Sequence, residues 1–235
     1  MKIFVFDLYG TLVDIRTDES RQKFKNKYQK YLKKFGADNR FFENFYAVLA
    51  PFKDTDEPDI VQVIMQAISL SGGKISAEEG KTAALKFRRL STRKLKLYKG
   101  VKGLLKELKE GGAKIYLLSN AQSAFTVYEL KKLGIYGCFD GIELSSDFGK
   151  KKPSADFFAH LVEKYSLDVK QTVFTGNDIG CDIVPSKNAG MYAVYIKSDI
   201  SPAGDKLSCA RSLADFATDS VSSAYSHIVS LKSMN

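Results

Sequence analysis

The chain has 235 residues, 44% apolar and 27% charged, which is the composition of an ordinary globular protein with room for one large domain or a domain carrying an insertion. No apolar run approaches the roughly 20 residues of a membrane span, and the N-terminus, with one Lys, four apolar residues and then Asp7, does not read as a secretory leader. The net charge of +9 is concentrated in residues 23–34 and 86–100, where Lys and Arg alternate with Phe, Tyr and Leu; solvated helix faces are preferred to a nucleic-acid surface.

The first element is KIFVFDLYGTLVD, residues 2–14. A short apolar run, Ile3 to Phe6, that ends in a polar turn reads as a buried parallel strand. Open α/β sheets carry their chemistry at the carboxyl ends of such strands, so Asp7 stands at the mouth of a crevice. Gly10 permits a sharp turn behind it. From 18 to 92 the apolar residues step by three and four, predicting helices over 20–35, 39–50, 58–71 and 76–90. Asp54 to Pro58 and Gly72–Gly73 interrupt them, and Ser76 with Glu79 reads as a capping box. No strand is read there, so the segment is an all-helical insert.

After Gly100 the pattern changes. A helix over 101–110 stops at Gly111–Gly112. Lys114 to Leu118 is a buried strand running into Ser119-Asn120. A helix over 122–133 ends at Gly134, and a short strand is read near 139–144. Pro153 opens a helix over 153–165, where its missing amide costs nothing. Residues 171–175 form a strand that enters Gly176-Asn177-Asp178, followed by a helix over 179–189 and a strand over 191–196. A short strand at 214–217 and a helix over 219–232 complete the chain. Strands alternating with helices predict an α/β fold with a Rossmann-like parallel sheet. The core domain is 1–17 plus 93–235, and the helical cap domain is 18–92.

Three strands thus end in polar clusters on one sheet edge, and the insert leaves and returns beside that edge as a lid. An Asp on a stiff strand end can act as a nucleophile. Attack on a phosphorus that bears negative oxygens needs positive charge nearby. Magnesium, which takes about six oxygens and keeps several waters, would supply it through Asp7, a carbonyl two residues on and an acid of the third cluster. A Lys and a hydroxyl would hold the remaining phosphate oxygens. Lys150, Lys151 and Lys152 precede Pro153 in the same half of the chain; three lysines in a row are most often a wet loop. The charge also permits a positive field that draws in a small anion. Cys138, Cys181 and Cys209 are odd in number and share no metal-ligand spacing, which fits a reduced, cytoplasmic chain.

In this order the motifs resemble the haloacid dehalogenase superfamily of aspartate-nucleophile hydrolases, in its helical-cap (C1) subfamily, over nearly the whole chain. FDLYGTLVD is similar to the first motif, with Asp7 as nucleophile and Thr11 as a supporting hydroxyl. LLSNA is similar to the second, giving Ser119 beside Asn120. Lys152 of KKKPSADFF matches the Lys-Pro motif. TGNDIGCDI resembles the acidic fourth motif, ending at Asp182 and followed by NAGM. The resemblance implies a magnesium-dependent phosphatase acting on a small phosphorylated metabolite. Its catalytic set would be Asp7, Tyr9, Thr11, Ser119, Asn120, Lys152 and Asp182, and its metal set Asp7, Tyr9, Asn177 and Asp178.

Two positions depart from that pattern. Family phosphatases usually carry a second Asp, as general acid and base, where this chain has Tyr9. They usually carry a metal-gripping Asp where this chain has Asn177; Asp178 is the alternative ligand. Family 2-haloacid dehalogenases do have Tyr at the first position, and Ser119-Asn120 and Asn177 also resemble their pattern, so a metal-free dehalogenase is the second reading. Against it, the Tyr they place six residues after the motif Lys is Phe158 here. Arg16, Arg40, Arg88 and Arg89 are the candidates for their cap arginine. Two acids at 178 and 182 favour the metal-dependent reading. A small anionic substrate, a phosphorylated or halogenated acid, is the expected partner under either. The third reading is a superfamily member that binds a ligand or partner without turnover.

Overall fold

The computed structural model describes residues 2–232; residue 1 and residues 233–235, the outer ends of the core ranges, lie outside the described residues. The strands are β1 (Ile3–Phe6), β2 (Val13–Thr17), β3 (Thr92–Leu97), β4 (Lys114–Ser119), β5 (Gly141–Leu144), β6 (Thr172–Gly176), β7 (Tyr192–Ile196) and β8 (Phe216–Thr218). Six of them form one parallel sheet in the order β5-β4-β1-β6-β7-β8. After β1 the chain builds outward on one side to β5, then crosses to the other. Such a reversal opens a crevice at the carboxyl edge, and β1 stands at it.

The helices are α1 (Gln22–Leu32), α2 (Phe41–Leu49), α3 (Ile60–Leu70), α4 (Ala77–Ser91), α5 (Val101–Glu110), α6 (Ser123–Leu133), α7 (Ser145–Phe148), α8 (Ala155–Tyr165), α9 (Val184–Asn188), α10 (Leu207–Leu213) and α11 (Val221–Leu231). Successive side chains of β1 leave on opposite faces. Phe4 and Phe6 pack with α5 and α11, whereas Val5 packs with Phe157, Phe158 and Leu161 of α8. Both faces of β1 are therefore covered, which is why its sequence is apolar without alternation.

Helices α1–α4 form the inserted cap and have a separate core in which Phe24, Tyr28, Phe41, Phe45, Ile64 and Phe87 meet. Ser76 and Glu79 make the expected capping box at the start of α4. Two strands at the junction depart from the sequence expectation. β2 and β3 pair antiparallel, with Asp14 opposite Lys96 and Ile15 opposite Leu95. The basic stretch ending α4 thus switches from helical spacing to period two: Leu95 and Leu97 turn to the sheet core, while Lys94 and Lys96 meet the buried Asp14.

Other differences are local. Pro153 precedes the helix rather than opening it; α8 begins at Ala155 behind Ser154. The helix expected over 179–189 starts as a wide π-type turn over Ile179–Ile183 and becomes α-helical only in α9. The short helices α7 and α10 had no periodic signal long enough to read.

Candidate active site

The sheet register fixes Asp7. Phe6 lies between Leu117 of β4 and Thr175 of β6, and the Asp7 amide donates to the Thr175 carbonyl at 2.9 Å. The chain then folds back tightly: Leu12 and Val13 amides donate to the Leu8 carbonyl, and the Gly10 amide donates to that of Val13. Gly10 has φ +89°, a region that favours glycine. A Cβ there would also lie 2.6 Å from Cγ of Asn177. This turn brings the Thr11 hydroxyl to 3.3 Å from Asp7 Oδ2.

The other oxygen, Oδ1, faces Ser119 and Lys152. The Ser119 hydroxyl donates to it at 3.2 Å and the Lys152 ammonium at 2.8 Å. Lys152 is only 2% exposed, so it is no wet loop lysine. Its ammonium also donates to Asp182 Oδ1 at 2.6 Å. Burial works against its charge, but the carboxylates of Asp182 and Asp7 outweigh it and hold the pKa above the ordinary lysine value. Asp182 Oδ2 accepts the amides of Asn177 and Asp178 at 3.0 and 3.1 Å. Burial pushes Asp182 up to about 6, against the pull of Lys152 and with a further push from Asp7.

Asn120 touches neither carboxylate. Its side chain clamps the backbone of Lys152, accepting from that amide at 2.7 Å and donating to that carbonyl at 2.9 Å. Two hydrogen bonds to one residue's backbone fix where its side chain starts.

Asn177 and Asp178 face different ways. Asn177 Oδ1 lies 3.3 Å from the Thr11 hydroxyl, and its Nδ2 donates to Ser198 Oγ at 3.3 Å. Asp178 Oδ1 accepts the Cys181 amide at 2.7 Å, capping the turn behind it. The Thr11 hydroxyl has one hydrogen to share between two oxygens, Asp7 Oδ2 and Asn177 Oδ1. That pair of oxygens suits a hard cation, with one full charge rather than two. Among the described residues no group of three or more His, Cys, Asp or Glu is placed to hold a metal, so a cation here would lean on neutral oxygens and water.

The Tyr9 side chain is engaged elsewhere. Its hydroxyl donates to Glu129 Oε2 at 2.5 Å and lies 3.1 Å from the Thr126 hydroxyl. Burial raises the phenol above its ordinary value, so it stays protonated. Arg88 of α4 lies 5.1 Å from the Tyr9 ring centre and donates to Glu129 Oε1 at 2.7 Å. Glu129 and Thr126 were missed in the sequence; their only signal is a shared face of α6, three residues apart. Of the four candidate arginines, only Arg88 reaches inward. Arg16 and Arg40 pair with Asp199 and Asp38 at the surface, and Arg89 is exposed. Phe158 is buried against Phe174 at 5.4 Å between ring centres and offers no hydroxyl to the site.

The cap meets the core beside Lys152. The Lys151 amide donates to the Thr55 carbonyl at 2.8 Å, and the Glu57 amide to that of Gly149 at 3.0 Å. Gln122 donates to Glu57 and Pro58 and accepts from the Ile60 amide. These contacts wall a cavity of about 380 Å³ lined by Lys53, Asp54, Glu57, Arg88, Gln122 and Lys151, among others.

Residues 1–190 match the family model described as haloacid dehalogenase-like hydrolase. A glyceraldehyde 3-phosphate phosphatase of Methanocaldococcus jannaschii is 29% identical over 124 residues, 53% of this chain and 54% of that protein. A phosphoglycolate phosphatase of Vibrio cholerae is 35% identical over 97 residues, 41% of this chain and 42% of that protein. The matches therefore span about half the length of these curated relatives. Among solved structures, a 2-haloacid dehalogenase from Pseudomonas syringae superposes with a TM-score of 0.67 at 18% identity, covering 98% of this chain and 99% of that one. A HAD phosphatase from Thermococcus onnurineus gives 0.63 at 20% identity, covering 97% and 98%. At these identities the structural likeness speaks for the fold and does not divide phosphatase from dehalogenase.

Proposed function

This chain belongs to the haloacid dehalogenase-like hydrolases, and on that premise we propose that it is a magnesium-dependent phosphatase of the helical-cap subfamily, acting on a small phosphorylated metabolite. Residues 1–17 and 93–235 would be its core and 18–92 its cap. The observation that carries the reading is the buried Asp7 carboxylate with Oδ1 in contact with both Lys152 and Ser119. Phosphatase names among the curated relatives support a phosphorylated substrate. Three free cysteines accord with a reduced, cytoplasmic setting.

In this mechanism Asp7 Oδ1 attacks phosphorus as Lys152 and Ser119 shift from the carboxylate to the phosphate oxygens. The bond from phosphorus to the leaving oxygen breaks, and that oxygen takes a proton from water. The hydroxide so formed then attacks the phosphorus of the acyl phosphate, releasing phosphate and restoring the Asp7 carboxylate. Bound magnesium would add positive charge against the phosphate oxygens, held by Asp7, the Tyr9 carbonyl and Asn177. Thr11 would keep Asp7 Oδ2 turned toward Asn177. With Tyr9 spent on Glu129, no side chain at that position relays the proton, so good leaving groups are favoured.

The test is phosphate release from a set of small phosphorylated metabolites, with magnesium and with chelator, using Asp7→Asn as the control. Loss of release in that variant and in chelator supports the reading; equal rates in the variant and the parent remove it. Tyr9 and Asn177 keep metal-free 2-haloacid dehalogenation as a second reading. Halide release from 2-chloropropionate in chelator, with no phosphate release, would put it first.

A further inference from the structure

Three segments of the chain meet at one buried carboxylate. Glu129 of α6 is 3% exposed. Its Oε1 accepts Arg88 Nε at 2.7 Å, and its Oε2 accepts Arg88 Nη2 at 3.3 Å and the Tyr9 hydroxyl at 2.5 Å. A carboxylate removed from water is costly unless paired and hydrogen-bonded, and here both oxygens are satisfied. The Arg88 guanidinium also lies against two rings, with centres 5.1 Å away for Tyr9 and 4.5 Å for Phe125.

The positions of the three partners matter more than the bonds alone. Tyr9 stands two residues after Asp7, on the turn that also holds Gly10 and Thr11. Arg88 lies in the last turn of cap helix α4, just before β3, one of the two strands that join the insert to the core. Cap and nucleophile turn therefore share a single acid on a core helix.

We propose that Glu129 is a positioning residue that couples the seating of the cap to the alignment of Asp7. With α4 seated, Arg88 neutralises Glu129, and Glu129 anchors Tyr9 and the turn behind it. When α4 lifts, the carboxylate is left buried and uncompensated. Without Arg88 it no longer holds the Tyr9 hydroxyl in place, and the turn loses its outer anchor. Asp7 is thus aligned for attack only beneath a closed cap. The catalytic half of this inference rests on the reading of Asp7 as nucleophile; the mechanical half does not.

The test combines amide hydrogen exchange with kinetics on p-nitrophenyl phosphate in magnesium, for Arg88→Met, Arg88→Lys, Glu129→Gln and Tyr9→Phe. In Arg88→Met, a cap substitution, the amides of Gly10, Leu12 and Val13 should exchange about tenfold faster than in the parent. The kcat should fall about tenfold with KM within about threefold, because alignment rather than affinity is lost. Arg88→Lys, which keeps the charge, should recover part of both. The double variant Tyr9→Phe, Arg88→Met should be no worse than the worse single variant. Unchanged exchange over residues 10–13 in Arg88→Met and Glu129→Gln, or additive losses in the double variant, overturns the coupling. Should Arg88→Met fail to fold, the same exchange comparison in Glu129→Gln decides it. A parent chain that releases no phosphate counts against the phosphatase reading alone, since exchange does not depend on turnover.

Discussion

The Lys152 ammonium lies 2.8 Å from Asp7, on a side chain that is 2% exposed. One cation therefore serves two buried acids, because Asp182 takes the same ammonium at 2.6 Å. Replacing Lys152 by Met keeps the bulk and removes the charge. Asp7 and Asp182 then face each other uncompensated, and the expected loss of stability is about 3–5 kcal/mol. Phosphate release should fall about 10²–10³-fold, the scale of one lost oxyanion partner. Thermal unfolding and initial rates measure the two losses, and a stable, active Lys152→Met protein would show that the ammonium serves neither purpose.

Asp182 sets the expected pH dependence. Burial raises its carboxyl to about 6 in the folded chain, above the ordinary value near 4. Only the ionised form holds Lys152 as an ion pair, so activity should fall as pH drops through about 6. Stability moves the other way. A raised acid binds its proton more tightly when folded, so its contribution is full below the unfolded value and is lost as pH rises through about 6. Rate and unfolding profiles over this range should therefore slope in opposite directions, and Asp182→Asn should flatten the stability slope. An acid limb centred near 4 would contradict the assignment.

What the sequence revealed follows from how local each signal is. Ile3–Phe6 and residues 115–118 of β4 could be read because strand segments covered on both faces are apolar without alternation. Cap helices could be read because Phe24, Tyr28 and Leu32, and again Val61, Ile64 and Ile68, recur at helical steps toward one core. Asp7, Ser119, Lys152 and Asp182 come together because parallel strands share an edge, and their carrying segments were visible. Tyr9 illustrates what stays hidden. Its role depends on Glu129, 120 residues away, and on Arg88 from the insert, and no local pattern encodes that meeting. β3 was hidden for another reason: TRKLKL pairs with β2 around the buried Asp14, so its lysines mask a strand.

On the proposed magnesium-dependent mechanism, Asn177 makes the cation dependence tunable. It presents an uncharged oxygen toward the Thr11 hydroxyl that also meets Asp7, while Asp178 is tied to the Cys181 amide. Asn177→Asp adds a charge at the same place without moving the backbone. The magnesium concentration needed for half-maximal rate should drop about tenfold, since carboxylate count governs affinity in such sites. Asp178→Asn, whose amide oxygen can still accept the Cys181 amide, should leave that concentration unchanged. The reverse pattern, with Asp178→Asn abolishing magnesium dependence and Asn177→Asp neutral, would assign the ligand to Asp178.

Gly10→Ala tests whether the turn behind Asp7, the proposed nucleophile, positions the third cluster as well as the first. At φ +89° any side chain costs about 1–2 kcal/mol through contact with its own backbone. The added methyl would also fall 2.6 Å from Asn177 Cγ, too close for either to stay. Asn177 has limited room to yield, because its amide nitrogen is bonded to Ser198 and its backbone amide to Asp182. The strain should therefore spread to Thr11, which lies 3.3 Å from both Asp7 and Asn177. Misplacement of reacting groups by about 1 Å costs about 10²-fold in rate, so kcat/KM should fall by that order while the unfolding midpoint drops only a few degrees. A Gly10→Ala protein with lowered stability and full activity would mean that the turn is needed for folding alone, and that Asn177 need not sit against it for the chemistry.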